Sequence, residues 1–184
     1  MVRIPRFSVG LLAGLLLGCT GKPDGIEPVQ DFQLERYLGR WYEIARLDHR
    51  FERGLTHVTA DYSRRDDGGV NVVNRGYDTE AGEWKSARGK AYFVDGPNVG
   101  YLKVSFFGPF YGAYVVFALD HDNYQYAMIS GPNRSYLWIL ARDPDLDERI
   151  VQRLMARAKR LGFDTDQLIR VNQSQATLPA EDRP

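Results

Sequence analysis

Between residues 41 and 142 the chain repeats one pattern eight times: a run rich in Val, Ile, Tyr, Phe and Thr, then a cluster of turn-forming residues. The runs are 41–47, 57–63, 70–78, 83–94, 99–107, 113–119, 124–130 and 135–142. RRDDGG, TEAG, DGPN, GPFYG, DHDN and GPNR separate the last seven, whereas 48–56 is a longer loop containing Phe51 and Leu55. Strands joined by links this short pair antiparallel with their sequence neighbours, because a parallel crossover needs a dozen residues or more. A meander of eight such strands leaves two raw edges unless it closes, and closure at eight strands leaves room for one small ligand. The expected fold is therefore all-β, an eight-stranded antiparallel up-and-down barrel.

The last run shows why an element must cover one face. Tyr136, Trp138, Leu140 and Arg142 alternate with Leu137, Ile139 and Ala141, so both faces are apolar. The stripe Leu146, Ile150, Val151, Leu154, Met155, Ala158 and Leu161 has helical spacing and supplies the cover. Asp145 with Glu148 three residues on reads as the helix's N-terminal capping box, and Gly162 as its stop. A short helical turn at 34–38, closed by Gly39, precedes the first strand, and 168–171 reads as a short ninth strand.

The N-terminus reads as a targeting segment. Arg3 and Arg6 precede the uncharged run 7–17, which is too short to span a bilayer and ends in Leu-Leu-Gly-Cys at 16–19. This resembles the bacterial lipobox, with Leu17 bulkier than the usual small residue, and implies that residues 1–18 are removed and Cys19 is acylated. Cys19 is the single cysteine of the chain, so neither an internal disulfide nor a free thiol for chemistry is expected after acylation. Several acyl chains on one residue exceed what stable anchoring requires. Thr20 stands where an Asp would, by resemblance to enterobacterial lipoproteins, favour the inner membrane, so the outer membrane is expected, with the domain on its periplasmic face. Residues 19–31 read as a tether reaching up to ~40 Å, and 174–184 as a disordered tail.

The domain between them, 32–173, resembles the lipocalin family. Gly39-Arg40-Trp41-Tyr42 matches its Gly-x-Trp motif at the start of the first strand. Leu119-Asp120 keeps only the Asp of its second motif, and Arg142 matches its third, at the end of the eighth strand. WYEIARLDHRFERGL, KVSFFGPFYGAY and GPNRSYLWILAR are closer still to the family's bacterial outer-membrane lipoprotein branch. The resemblance implies a barrel that carries a small apolar ligand. The barrel geometry agrees that Trp41 and Arg142 should meet at one end, where a guanidinium on an indole face would make a cation–π contact. Gly39, Trp41 and Arg142 are therefore read as structural.

Alternation together with the family's register selects a lining. Val58, Ala60 and Tyr62 come from the second strand, Val72 and Asn74 from the third, and Ala87, Gly89, Ala91 and Phe93 from the fourth. Leu102, Val104 and Phe106, then Tyr114, Val116 and Ala118, continue it, and Ile129, Tyr136, Trp138 and Leu140 complete it. Apolar walls with a few polar groups suit an acyl chain, so a fatty acid or lysophospholipid is the expected ligand. A barrel core filled by its own side chains is the competing reading. Phe51, Leu55, Pro109, Phe110 and Tyr111 fall around the open end, to meet a membrane or homodimer partner or to fold over the rim.

Other function classes find less support. Lys plus Arg equals Asp plus Glu at 24 each, which gives no field for nucleic acid. His49, His57 and His121 lack metal-ligand spacing, and no nucleophile elbow or phosphate-binding glycine loop is present. No cofactor or catalytic residue is therefore assigned. Two alternatives stay open, an isomerase or cyclase using an inward Glu43 and a structural envelope protein with an incidental cavity.

Overall fold

The computed structural model describes residues 21–174. Residues 1–20, which hold the expected signal segment and Cys19, and residues 175–184 lie outside the described residues. The elements in order are α1 (Leu34–Tyr37), β1 (Gly39–Leu47), β2 (Leu55–Arg64), β3 (Val70–Asp78), β4 (Glu83–Phe93), β5 (Tyr101–Phe107), β6 (Phe110–Leu119), β7 (Tyr126–Ser130), β8 (Leu137–Ala141), α2 (Glu148–Arg160) and β9 (Leu168–Arg170). Each of β1–β7 pairs antiparallel with the next, and β1 also pairs with β8, so the sheet closes on itself as an eight-stranded barrel. β9 adds to β1 through Ala45, Arg46 and Leu47. No helix of the described residues is long and apolar enough to cross a membrane.

Two apolar clusters divide the molecule. The outer one packs Val151, Leu154 and Ala158 of α2 against Val115, Met128, Leu137, Ile139 and Ala141. It is extended by Phe117 stacked on Phe163 at 5.5 Å. The inner one runs from Phe32, Tyr37 and Trp41 to Val72, Leu102, Ile129 and Leu140. The alternation of β8 thus feeds both clusters, one face to each.

The structure departs from the expected layout at the ends of elements. The cap of α2 is Asp147, whose carboxylate accepts from Arg149 N, and not Asp145. Asp145 lies three residues before the helix, where no helical N–H is in reach. The segment expected as a free tether is packed from Lys22 onward. The Asp24 carbonyl accepts from Arg134 Nη2 at 2.6 Å, and Ile26 is fully buried in the outer cluster. Val29 N donates to the Val116 carbonyl at 2.8 Å, and its own carbonyl accepts from Gly100 N at 2.9 Å. An apolar residue at 26 and backbone partners beside β6 stabilise this strap more than solvent does.

The strap leads Phe32 and α1 across one end of the barrel. Gln33 N donates to the Tyr124 hydroxyl, and Arg36 donates to the His121 and Asp122 carbonyls. Gly39 then turns the chain into β1 with φ +92°, a left-handed conformation that disfavours any side chain, and a Cβ there would stand 3.5 Å from Arg142 Nη1.

Candidate ligand-binding site

Arg142 closes the floor. Its guanidinium donates to the carbonyls of Arg40 (2.7 Å), Arg36 (2.7 Å) and Leu38 (2.9 Å), and it lies 4.1 Å from the Trp41 ring. Trp41 is fully buried, and its Nε1 donates to the Tyr37 carbonyl. The pair thus ties β1, β8 and the loop before β1 into one plug.

Above the plug lies a cavity with a free volume of about 90 Å³, counted as space open to the centre of a water-sized sphere. At roughly 10–15 Å³ per water on that measure, several waters or one slender chain fit, and a two-chain lipid does not. Val58, Ala60 and Tyr62 of β2 line it, with Val72 and Asn74 of β3 and Ala91 of β4. Leu102, Val104 and Phe106 of β5, Tyr114 of β6, Ile129 of β7, and Trp138 and Leu140 of β8 complete the wall.

Six expected positions lie elsewhere, and two of them are Gly89, where a Cβ would stand 2.8–2.9 Å from Ser105 and Phe106, and Phe93, which packs edge-on against Phe32 at 6.1 Å. Val116 is fully buried in the inner cluster, where the strap's Val29 and Phe32 also pack, so it forms part of the filled floor. Tyr136 precedes β8, stacks on Trp138 at 6.0 Å and lies tilted against His49 at 5.7 Å, in the turn that the Gly131–Tyr136 backbone bond closes. Ala118 belongs to the outer cluster because β6 shifts register between Val116 and Ala118, and a one-residue shift moves side chains to the other face. Ala87 is exposed, since β4 pairs with β5 only from Lys90 to Phe93 and its first half stands beyond that wall.

Six lining residues were not expected: Phe32, Leu34, Tyr37, Glu52, Thr59 and Val70. Val70 was available from alternation, sharing the phase of Val72 and Asn74. Nothing local marks the others: Thr59 follows the register irregularity of β2 between Thr56 and Thr59, and the rest arrive from the strap, α1 and the β1–β2 loop.

That loop brings charge into the barrel. β1 has a register irregularity between Glu43 and Ala45, and Ile44 and Ala45 both join the outer cluster. Glu43 and Arg46, three apart, therefore both turn inward, with exposures of 3 and 2 %. Arg46 Nη1 donates to Glu43 Oε1 at 2.8 Å, while Nη2 donates to the carbonyls of Glu52 (2.7 Å) and Leu55 (3.1 Å), which pins the loop. Glu52 Oε2 accepts from Trp138 Nε1 at 3.0 Å and lies 3.0 Å from His49 Nε2. Burial and the neighbouring Glu52 charge hold the Glu43 carboxyl well above its usual range against the pull of Arg46. Burial also pushes Glu52 upward, but His49, Trp138 and Arg46 together outweigh it and hold Glu52 below its usual value. Glu52 is thus the charged partner that balances Arg46, and Glu43 the one that keeps a proton longest. Phe51, Phe107 and Phe110 remain exposed at 58, 72 and 67 %.

A closed eight-stranded barrel, plugged by an Arg on a Trp and hollow above it, defines a class of small barrels with an internal cavity. The lipocalin-like domain model matches residues 32–173, and the chain belongs to that family. Within it, the chain falls in the bacterial outer-membrane lipoprotein branch. It is 60% identical over 163 residues to the outer membrane lipoprotein Blc of Vibrio cholerae, covering 89% of this chain and 95% of the relative. The protein of the same name from Escherichia coli K12 is 51% identical over 172 residues, covering 92% and 97%. Among solved structures, insecticyanin from the tobacco hornworm Manduca sexta superposes with a TM-score of 0.67 at 22% identity, over 85% of this chain and 88% of that one. At that identity the likeness shows the fold.

Proposed function

We propose that this protein is held at the outer membrane, on the periplasmic side, by an acylated Cys19 and that its barrel binds the acyl chain of a fatty acid or lysophospholipid. The observation that carries the reading is the division of the cavity. Its walls are Val58, Ala60, Val72, Ala91, Leu102 and Val104, while Glu43, Arg46, Glu52 and His49 gather where β1 meets its loop. An acyl tail against the wall removes its methylenes from water, at about 0.8 kcal/mol each until the space is filled. The names of the relatives support the outer-membrane placement.

The same division supports binding over catalysis. Glu43, the candidate for an acid or base, is tied to Arg46, which is itself tied to the loop backbone. Titration of the mature chain with hexadecanoic acid and its lysophospholipid tests the proposal through Trp138, which lines the cavity and touches Glu52. Saturable change in indole emission at micromolar ligand, lost in Trp138→Phe while calorimetry still records binding, is the expected result. Absence of binding to both lipids would refute the acyl-chain reading.

A further inference from the structure

Three phenols stand in line within the cavity. Tyr37 from α1, Tyr114 from β6 and Tyr62 from β2 all line it. The Tyr37 and Tyr114 hydroxyls are 2.7 Å apart, and those of Tyr62 and Tyr114 are 2.9 Å apart. Each phenol owns one O–H proton, and three oxygens in a line share only two links. Whichever way the protons point, two are used within the line and one is left without an acceptor among the described residues. Burial pushes all three hydroxyls above their ordinary pKa, so they stay protonated.

An acceptor is left over on the same wall. Asn74 lines the cavity, and its buried Oδ1 has no hydrogen-bond partner among the described residues. Val72 pairs across the sheet with Tyr62, and Asn74 with Ala60. Tyr62 and Asn74 are therefore diagonal neighbours on one face, about 7–8 Å apart at that register. Phenylalanines and a leucine would fill this space without stranding polar atoms, and a buried polar atom without a partner is costly. A hydroxyl is the small group that satisfies both, since it accepts one hydrogen bond and donates another.

We propose that the tyrosine line and Asn74 form a subsite for a hydroxyl group carried on the inner part of a ligand's acyl chain. The ligand class is then a hydroxylated acyl lipid, whose hydroxyl accepts the surplus phenol proton and donates to Asn74 Oδ1. This rests on the acyl-chain reading above and adds a specificity to it.

Calorimetric titration with hexadecanoic acid, its ω-hydroxy derivative and its α-hydroxy derivative tests the subsite. The three ligands are compared in the wild-type mature chain, in Tyr37→Phe/Tyr62→Phe/Tyr114→Phe and, separately, in Asn74→Leu. The triple variant removes every member of the line in shape-conserving steps, and Asn74→Leu provides a second route should the triple fail to fold. The expected result is that the affinity ratio of ω-hydroxy to plain acid drops about tenfold in either variant, as an unpartnered hydroxyl in an apolar pocket requires. Plain-acid affinity is the reference within each protein, and the α-hydroxy ratio should stay constant because that hydroxyl remains beside the carboxylate at the mouth. An ω-hydroxy ratio that is equal in all three proteins overturns the subsite and leaves the phenols serving a buried water. If no acid binds at all, the acyl-chain reading falls and the subsite falls with it.

Discussion

Replacing Arg142 with alanine removes three hydrogen bonds from a charged donor and one cation–π contact at a single stroke. Bonds to charged groups contribute about 1.5–3 kcal/mol each and the ring contact about 0.5–2, so the simple total is roughly 5–11 kcal/mol. The floor is partly wet, however, and the carbonyls of Arg36, Leu38 and Arg40 regain water when the guanidinium leaves. The part that water cannot replace is the tie between β8 and the loop before β1, which sets the expected loss at about 2–4 kcal/mol. For a domain of this size that lowers Tm by about 5–15 °C. Chemical and thermal denaturation of wild type, Arg142→Ala and Arg142→Lys measure it. Lysine lacks the planar fork that spans several carbonyls and should recover less than half of the loss. Acyl-chain binding by the folded fraction should change little, because Arg142 is not at the cavity wall. A loss below about 0.5 kcal/mol, or lost binding with unchanged denaturation, would overturn the structural role of the pair.

Three further outcomes follow from other parts of the chain. Cys19→Ser should abolish acyl labelling and release the protein from the outer-membrane fraction; labelling that persists removes the anchor from the proposal. The Glu43 carboxyl is raised in the folded state above the ordinary 4.5, so its contribution is fully present below that pH and is lost as pH rises through the raised value. Glu43→Gln, whose amide oxygen still accepts from Arg46, should flatten that fall in stability, while the opposite acid-side loss from Glu52, whose value is lowered, should remain. Asp147→Ala should destabilise the fold by about 1 kcal/mol through the lost cap of α2, and Asp145→Ala by much less; equal effects in urea denaturation would return the cap to Asp145.

The sequence by itself determined what depends on local periodicity. Runs and turns set eight strands in order, and closure follows from having no other way to cover the edges. Alternation carries Ala60, Tyr62, Val72 and Asn74 to one face because side chains in a strand repeat every two residues. Gly39 and Trp41 are readable for another reason, the resemblance of Gly39-Arg40-Trp41-Tyr42 to the lipocalin motif at the start of the first strand. The tertiary structure decided whatever breaks that period or comes from far along the chain. The irregularity in β1 turns Glu43 and Arg46 to the same side, and the register shift in β6 sends Ala118 outward. Neither is written in residue type, because the energy that selects such a shift lies in the packing of both faces at once. Glu52 enters the barrel only because Arg46 holds its loop, and Tyr37 joins Tyr62 and Tyr114 only because the strap packs beneath β6. The strap's own contacts reach across 110 residues, as between Asp24 and Arg134, and a long-range contact is a property of the closed barrel, absent from any window of its sequence.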